Sequence, residues 1–121
     1  MTNPFDAVKQ FMVACDQPID GSNEAQHDLY VRLVEEEIKE FHDGINNKDD
    51  VEIIDAISDS IWVLIGYAHS RGWDIEGAFN EVARSNMSKV DAETGKVLKR
   101  EDGKVQKPAS YSPPELSPFV R

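Results

Sequence analysis

Through residues 1–90 apolar side chains recur at spacings of three and four, a rhythm that predicts helices rather than strands. Phe5, Val8, Phe11 and Met12 mark a first helix over 4–14, with Pro4 suited to its opening turn. "CDQPIDGSNE" breaks the rhythm at Pro18 and Gly21, and Ser22 or Asn23 is placed to cap the next helix. That second helix is expected over 24–45, with Leu29, Leu33, Ile38, Phe41 and Ile45 as its apolar stripe. Gly44 and Asn46-Asn47 mark a turn. The third helix, over 49–71, carries the strongest signal: Ile54, Ile57, Ile61, Leu64, Ile65 and Ala68, ended by Gly72. A shorter fourth helix has Asp74 as its cap and turns Ile75, Ala78, Phe79 and Val82 inward.

After "ARSNMSK" the pattern changes. Two short alternating segments flank "EDGK", where Asp102-Gly103 is a hairpin signal. The proline-rich "YSPPELSPFVR" reads as an extended arm lying over the body or a partner subunit. No internal repeat is present. The expected fold is all-α, a bundle of four to five helices with a short C-terminal hairpin and an extended tail. Residues 1–90 form the helical part, and the hairpin and arm of 91–121 belong to the same domain.

The chain has 121 residues, enough for one domain. Its formal net charge of −10 argues against a nucleic-acid binder working by phosphate neutralisation. It leaves open nucleotide binding through a divalent cation. Cys15 is the single cysteine, so neither an internal disulfide nor a cysteine zinc site is expected. The N-terminal stretch has no basic leader of the signal-peptide kind. The longest uncharged run, Ser60 to Ser70, is too short to span a bilayer. A soluble, cytoplasmic protein is expected.

Charge is concentrated on two of the helices. In "VEEEIKEF", Glu36, Glu37 and Glu40 project from neighbouring parts of one face, and like charges at that spacing repel by roughly 0.2–0.5 kcal/mol per pair. A solvated acidic face accounts for these three alone. The third helix adds Glu52, Asp55 and Asp59, again on one face, inside "VEIIDAISDSIWVLIGYA". Aspartate is a poor helix-interior residue, and buried carboxylates must be paired, protonated or bound to a cation. Arg32 and Lys48 are too few to neutralise six acids. Antiparallel packing of the two helices brings the acidic faces together, and oxygen ligands of this kind suit Mg²⁺, with Mn²⁺ the alternative. His27, His42 and His69 share no pattern and are given no ligand role.

The order "EEIKE" then "EIID" resembles the EExxE…ExxD signature of the all-α nucleoside triphosphate pyrophosphohydrolases, the superfamily of MazG, phosphoribosyl-ATP pyrophosphohydrolase and the dimeric dUTPases. "DAISDSIWVLIGYAHSRGWDIEGAFNEVARSNMSKVD", "GKVLKREDGKVQKP" and "YSPPEL" are similar to the small MazG-like proteins, so the resemblance runs from about Leu29 to Leu116. It implies Mg²⁺-dependent hydrolysis of a (deoxy)nucleoside triphosphate to the monophosphate and pyrophosphate, in nucleotide-pool cleaning. Carried over by position, Glu37, Glu40, Glu52 and Asp55 hold the metal, and Glu36 is a further ligand or orients the attacking water. Asp59, one turn beyond, binds a second ion or takes the water's proton. In "ARSNMSK" the resemblance points Asn86 and Lys89, with Arg84 beside them, at the triphosphate; basic residues at a helix C-terminus are also favoured by the helix dipole alone. Lys99, Arg100, Lys104 and Lys107 are weaker candidates for the phosphates and are expected to be solvated; Trp62 and Trp73 could stack on a base but are expected to pack in the core or a dimer interface. The resemblance also implies a homodimer or homotetramer; from charge and hydropathy, no nucleic-acid polymer or membrane partner is expected. Rival readings are phosphoribosyl-ATP hydrolysis, a metal-binding protein without hydrolysis, and a catalytically silent helical interaction module.

Overall fold

Two asparagines start the first two helices by the same device. Asn3 Oδ1 accepts the backbone N–H of Asp6 at 2.8 Å, and Asn23 Oδ1 that of Gln26 at 3.0 Å. Each relieves one of the N–H groups a helix start leaves without a partner. The computed structural model describes residues 3–120. It contains α1 (Pro4–Ala14), α2 (Glu24–Asn47), α3 (Asp50–Ser70) and α4 (Ile75–Met87), with a 3₁₀ turn at Ser117–Phe119 near the end of the chain. The architecture is all-helical, as the apolar spacing predicts. The chain divides into two compact units, the first ending at Ile75 and the second beginning at Glu76.

In the first unit α2 and α3 form an antiparallel hairpin with a connection of only Lys48 and Asp49. Lys48 takes the left-handed conformation, φ 52°, and closes α2 by donating its N–H to the carbonyls of Gly44 and Ile45. Asp49 then caps α3, its Oδ1 accepting from the N–H groups of Val51 and Glu52, each at 3.1 Å. So short a link leaves the two helices no freedom but to run side by side. α1 lies against α3.

Val8, Met12, Tyr30, Val63 and Ile65 make the buried core, with Phe5, Leu33, Val34 and Tyr67 packed around it. One glycine sets how closely α2 and α3 approach. A Cβ built on Gly66 would lie 2.3 Å from Tyr30 Cε1, so the tyrosine ring occupies the space a side chain would need. The ring is anchored, because Tyr30 Oη donates to Gln17 Oε1 at 2.7 Å.

A polar knot closes the far end of the hairpin. Ser70 Oγ accepts from Gln26 Nε2 at 2.9 Å and lies 2.7 Å from His27 Nδ1, while His27 Nε2 faces the Gly21 carbonyl at 3.2 Å. A carbonyl can only accept, so Nε2 carries the proton and Nδ1 accepts from the serine. His69 Nε2 likewise donates to the Phe5 carbonyl at 2.9 Å, joining α3 to α1. Both histidines are buried and satisfied.

The apolar stripes are only partly interior. On α3, Ile65 and Ala68 are buried, yet Ile54, Ile57, Ile61 and Leu64 are exposed by 59%, 37%, 50% and 52%. These four recur at spacings of three and four along one exposed face of α3. On α2, Leu29, Ile38 and Ile45 are also exposed, and Tyr30, Gln26 and His27 are buried in their stead. Phe79 of α4, expected inward, is exposed as well.

In the second unit the chain reverses twice after α4. Val90 bridges Val97 and Lys99 bridges Val105, both antiparallel. The Asp102-Gly103 turn is present, with Gly103 at φ 85°, but pairing stops at these single bridges and no strand forms among the described residues. The proline-rich segment returns along α4. Ser85 Oγ donates to the Ser112 carbonyl at 2.8 Å, and Ser112 N donates to Ser88 Oγ at 2.8 Å. Glu115 N donates to Glu81 Oε2 at 2.7 Å. The arm is thus hydrogen-bonded to its own helix.

Gly66→Ala forces a methyl into the Tyr30 ring, and overpacking of this sort costs about 1–3 kcal/mol. Urea denaturation should show a lower midpoint with an unchanged slope. An unchanged midpoint would mean that the α2–α3 spacing does not depend on this contact.

Candidate metal centre

The hairpin connection sets which acids meet. Counting back from it along α2 and forward along α3, Glu37 and Glu40 fall opposite the turn of α3 that carries Asp55 and Asp59. Glu37, Glu40 and Asp59 each offer a carboxylate oxygen, and these oxygens lie within 4.8 Å of one another. Among the described residues the ion pairs are Lys39–Asp43, Arg84–Glu81 and Arg100–Asp102, so none of them neutralises the trio.

Glu37 is the most constrained member. It is half-buried, and its Oε2 is shielded from water without a hydrogen-bond partner. An acceptor in that state is costly. Its carboxyl is pushed up to about 7, first by desolvation, then by a hydrogen bond shared with Glu40, then by the charges of Glu40, Asp59 and Asp55. Asp59 is raised as well, by desolvation and then by Asp55 and Glu40. Asp55 therefore belongs to the same electrostatic group. A proton stands in where positive charge is needed.

A divalent cation fits this donor set. The ligands are hard oxygens, converge from two helices, and include a buried oxygen that nothing in the protein satisfies. The remaining expected acids lie apart. Glu52 is beside the connection, where Asn47 Nδ2 approaches its Oε2 at 3.5 Å and its Cγ lies 3.3 Å from a Cβ built on Gly44. Glu36 is exposed on α2.

The expected phosphate-binding residues are in the second unit. Arg84 is occupied: its Nε and Nη2 clasp Glu81 at 2.6 and 2.9 Å, and Nη2 also donates to the Pro113 carbonyl at 3.2 Å. Glu81 is correspondingly held down at about 2. The guanidinium thus fastens the arm to α4. Lys89 Nζ donates to Asn86 Oδ1 at 3.0 Å, so those two side chains stand together.

The carboxylate cluster lies on the α2–α3 hairpin, and a basic helix terminus follows it in the chain. The family model for phosphoribosyl-ATP pyrophosphohydrolase matches residues 11–86, more than half of the chain, and the chain belongs to that family. It falls within the MazG-like all-α pyrophosphohydrolase superfamily. A search of curated proteins gave no match. The matched segment contains Glu37, Glu40, Asp55 and Asp59 and stops before Lys89.

The raised carboxyls give a stability dependence of definite sign. In the unfolded chain Glu37 titrates near its ordinary 4.5, and in the folded chain near 7, so between those values the folded state holds the extra proton. The stabilising contribution is complete below about 4.5 and is lost as pH rises through about 7. With chelator present, the melting temperature of wild type minus that of Glu37→Gln should fall across that window. A flat difference would show that Glu37 is not strained.

Proposed function

We propose that this protein hydrolyses a (deoxy)nucleoside triphosphate to the monophosphate and pyrophosphate with Mg²⁺, Mn²⁺ being able to replace it. The observation that carries this is the buried, partnerless Oε2 of Glu37 inside a three-carboxylate cluster on the matched hairpin. Glu37, Glu40 and Asp59 hold the cation, with Asp55 completing the set and Glu52 at its connection-side edge. When bound, a divalent cation neutralises oligophosphate charge and makes nearby water more acidic. Asp59, whose carboxylate stands with those of Glu37 and Glu40, takes the proton of the attacking water. The water oxygen bonds to the α-phosphorus, the bond from that phosphorus to the bridging oxygen breaks, and pyrophosphate leaves. Asn86 and Lys89 bind the phosphate chain. Arg84, engaged with Glu81, acts by keeping this helix end in place.

Phosphoribosyl-ATP is the second substrate to consider, because the matching family model bears that name. The phosphate chemistry is the same; only the nucleoside end differs.

The exposed row Ile54, Ile57, Ile61 and Leu64 supports a homodimer. Its 3-4-3 spacing is that of a helix–helix seam, and each side chain is large and aliphatic. Pairing α3 with α3 of a second copy buries the row. No helix among the described residues is long and apolar enough to cross a membrane, so lipid is not its cover in a spanning sense.

A panel of nucleoside triphosphates together with phosphoribosyl-ATP, assayed for pyrophosphate release with Mg²⁺ and with chelator, tests the activity. Metal-dependent release is expected, and Asp59→Asn should lower kcat/KM by more than the roughly 10–100-fold typical of residues that only support a ligand. No release from any of them by folded protein would reject the reaction.

For the dimer, light scattering should give twice the 13.6 kDa chain mass, and Ile61→Glu should halve it. A wild-type monomer would reject the pairing.

A further inference from the structure

Outside the acidic hairpin, one cluster in the second unit stands out for its charge. Tyr111 receives two ammonium groups: Lys107 Nζ lies 5.0 Å and Lys89 Nζ 5.7 Å from the ring centroid. Arg84 Nη2 reaches the Pro113 carbonyl two residues further along the arm. Two ammonium groups thus gather at one phenol in a chain of net charge −10.

The cations differ in how they are balanced. Arg84 has its carboxylate in Glu81. Among the described residues neither Lys89 nor Lys107 is in an ion pair, although the chain has 23 acidic residues against 13 lysines and arginines. Two like charges drawn to one ring repel, and the ring's quadrupole offsets this only in part, about 0.5–1 kcal/mol for an exposed contact. The positions are not left to chance. Lys89 is tied to Asn86, Ser110 Oγ donates to the Ser88 carbonyl at 3.1 Å, Ser112 is bonded to Ser85 and Ser88, and Tyr111 N donates to the Pro108 carbonyl at 3.0 Å. The arm between Lys107 and Pro113 is therefore held along α4 with its tyrosine near both lysines.

We infer that Lys89, Lys107 and Tyr111 form an oligophosphate-binding site, in which both ammonium groups and the phenolic O–H donate to phosphate oxygens. Charge-assisted donors from two separate chain segments suit a ligand with several anionic oxygens better than a single carboxylate. Lys107 and Tyr111 lie beyond the segment matched by the family model. The naming of the ligand as the phosphate chain of a nucleotide, or the pyrophosphate it releases, rests on the pyrophosphohydrolase reading; the anion site itself does not.

The test is calorimetric titration of the full chain with inorganic pyrophosphate in the presence of EDTA, which removes any contribution from cations at the acidic hairpin. Wild type should bind, with affinity falling as salt is raised. Lys107→Gln should weaken binding about tenfold or more, and Lys107→Arg should restore most of it. Circular dichroism checks that each variant is folded. Absence of binding to wild type, or equal binding by Lys107→Gln, overturns the site. Parallel assays of metal-dependent turnover keep the two conclusions separate. Turnover with no EDTA-resistant pyrophosphate binding removes this site and leaves the reaction. Lysine-dependent binding by a protein that hydrolyses nothing does the reverse.

Discussion

Like charges pressed together across the α2–α3 hairpin are the constraint on which the first unit depends. Lys48 and Asp49 close the connection so tightly that the register is fixed, and Gly66 brings the helices near enough for Tyr30 to fill the gap. The same register sets Glu37 and Glu40 against Asp55 and Asp59. The core that packs the hairpin therefore also concentrates its negative charge. Without a cation, a proton raised to about 7 on Glu37 is the available relief, and its Oε2 still has no partner. The carboxylate cluster in this unit is a cost to stability placed between two well-packed helices.

The second unit uses the opposite sign. Glu81 and Arg84 satisfy each other and fasten the arm, while serine hydroxyls on α4 take up the backbone of the returning segment. What this fastening leaves without an acidic partner is the pair of lysines about Tyr111. Acidic and basic chemistry are thus built by separate segments, one on a helical hairpin and the other on a helix end with a pinned arm.

Much of the fold is legible in the residues. Pro4, Asn23, Gly72 and Asp74 mark helix ends, and all four helices follow from three- and four-residue spacing. Burial is less legible, because a stripe of isoleucines on α3 looks the same whether it faces its own core or a second copy. The same ambiguity hides Tyr30, Gln26 and His27, whose polar atoms are satisfied by partners distant in sequence. For the site, spacing alone picks out both acidic faces but not their register. Glu52 and Asp55 lie one turn apart, and only the short connection decides that Asp59 joins Glu37 and Glu40. Arg84 reads as a free cation in "ARSNMSK", although Glu81, three residues before it, is placed to pair with it on a helix. Lys107 stands out in the sequence only as one of four basic residues of the hairpin, and only the return of the arm along α4 brings it and Tyr111 to Lys89.

The most direct test of a cation held by these carboxylates is calorimetric titration with Mn²⁺ in buffers of different ionisation heat, repeated from pH 6 to pH 9. If the ion replaces the proton on Glu37, binding should release a proton at the acid end, and release should fade above about pH 7. Binding with no proton release at any pH, or no binding at all, would contradict a cation centre built on Glu37.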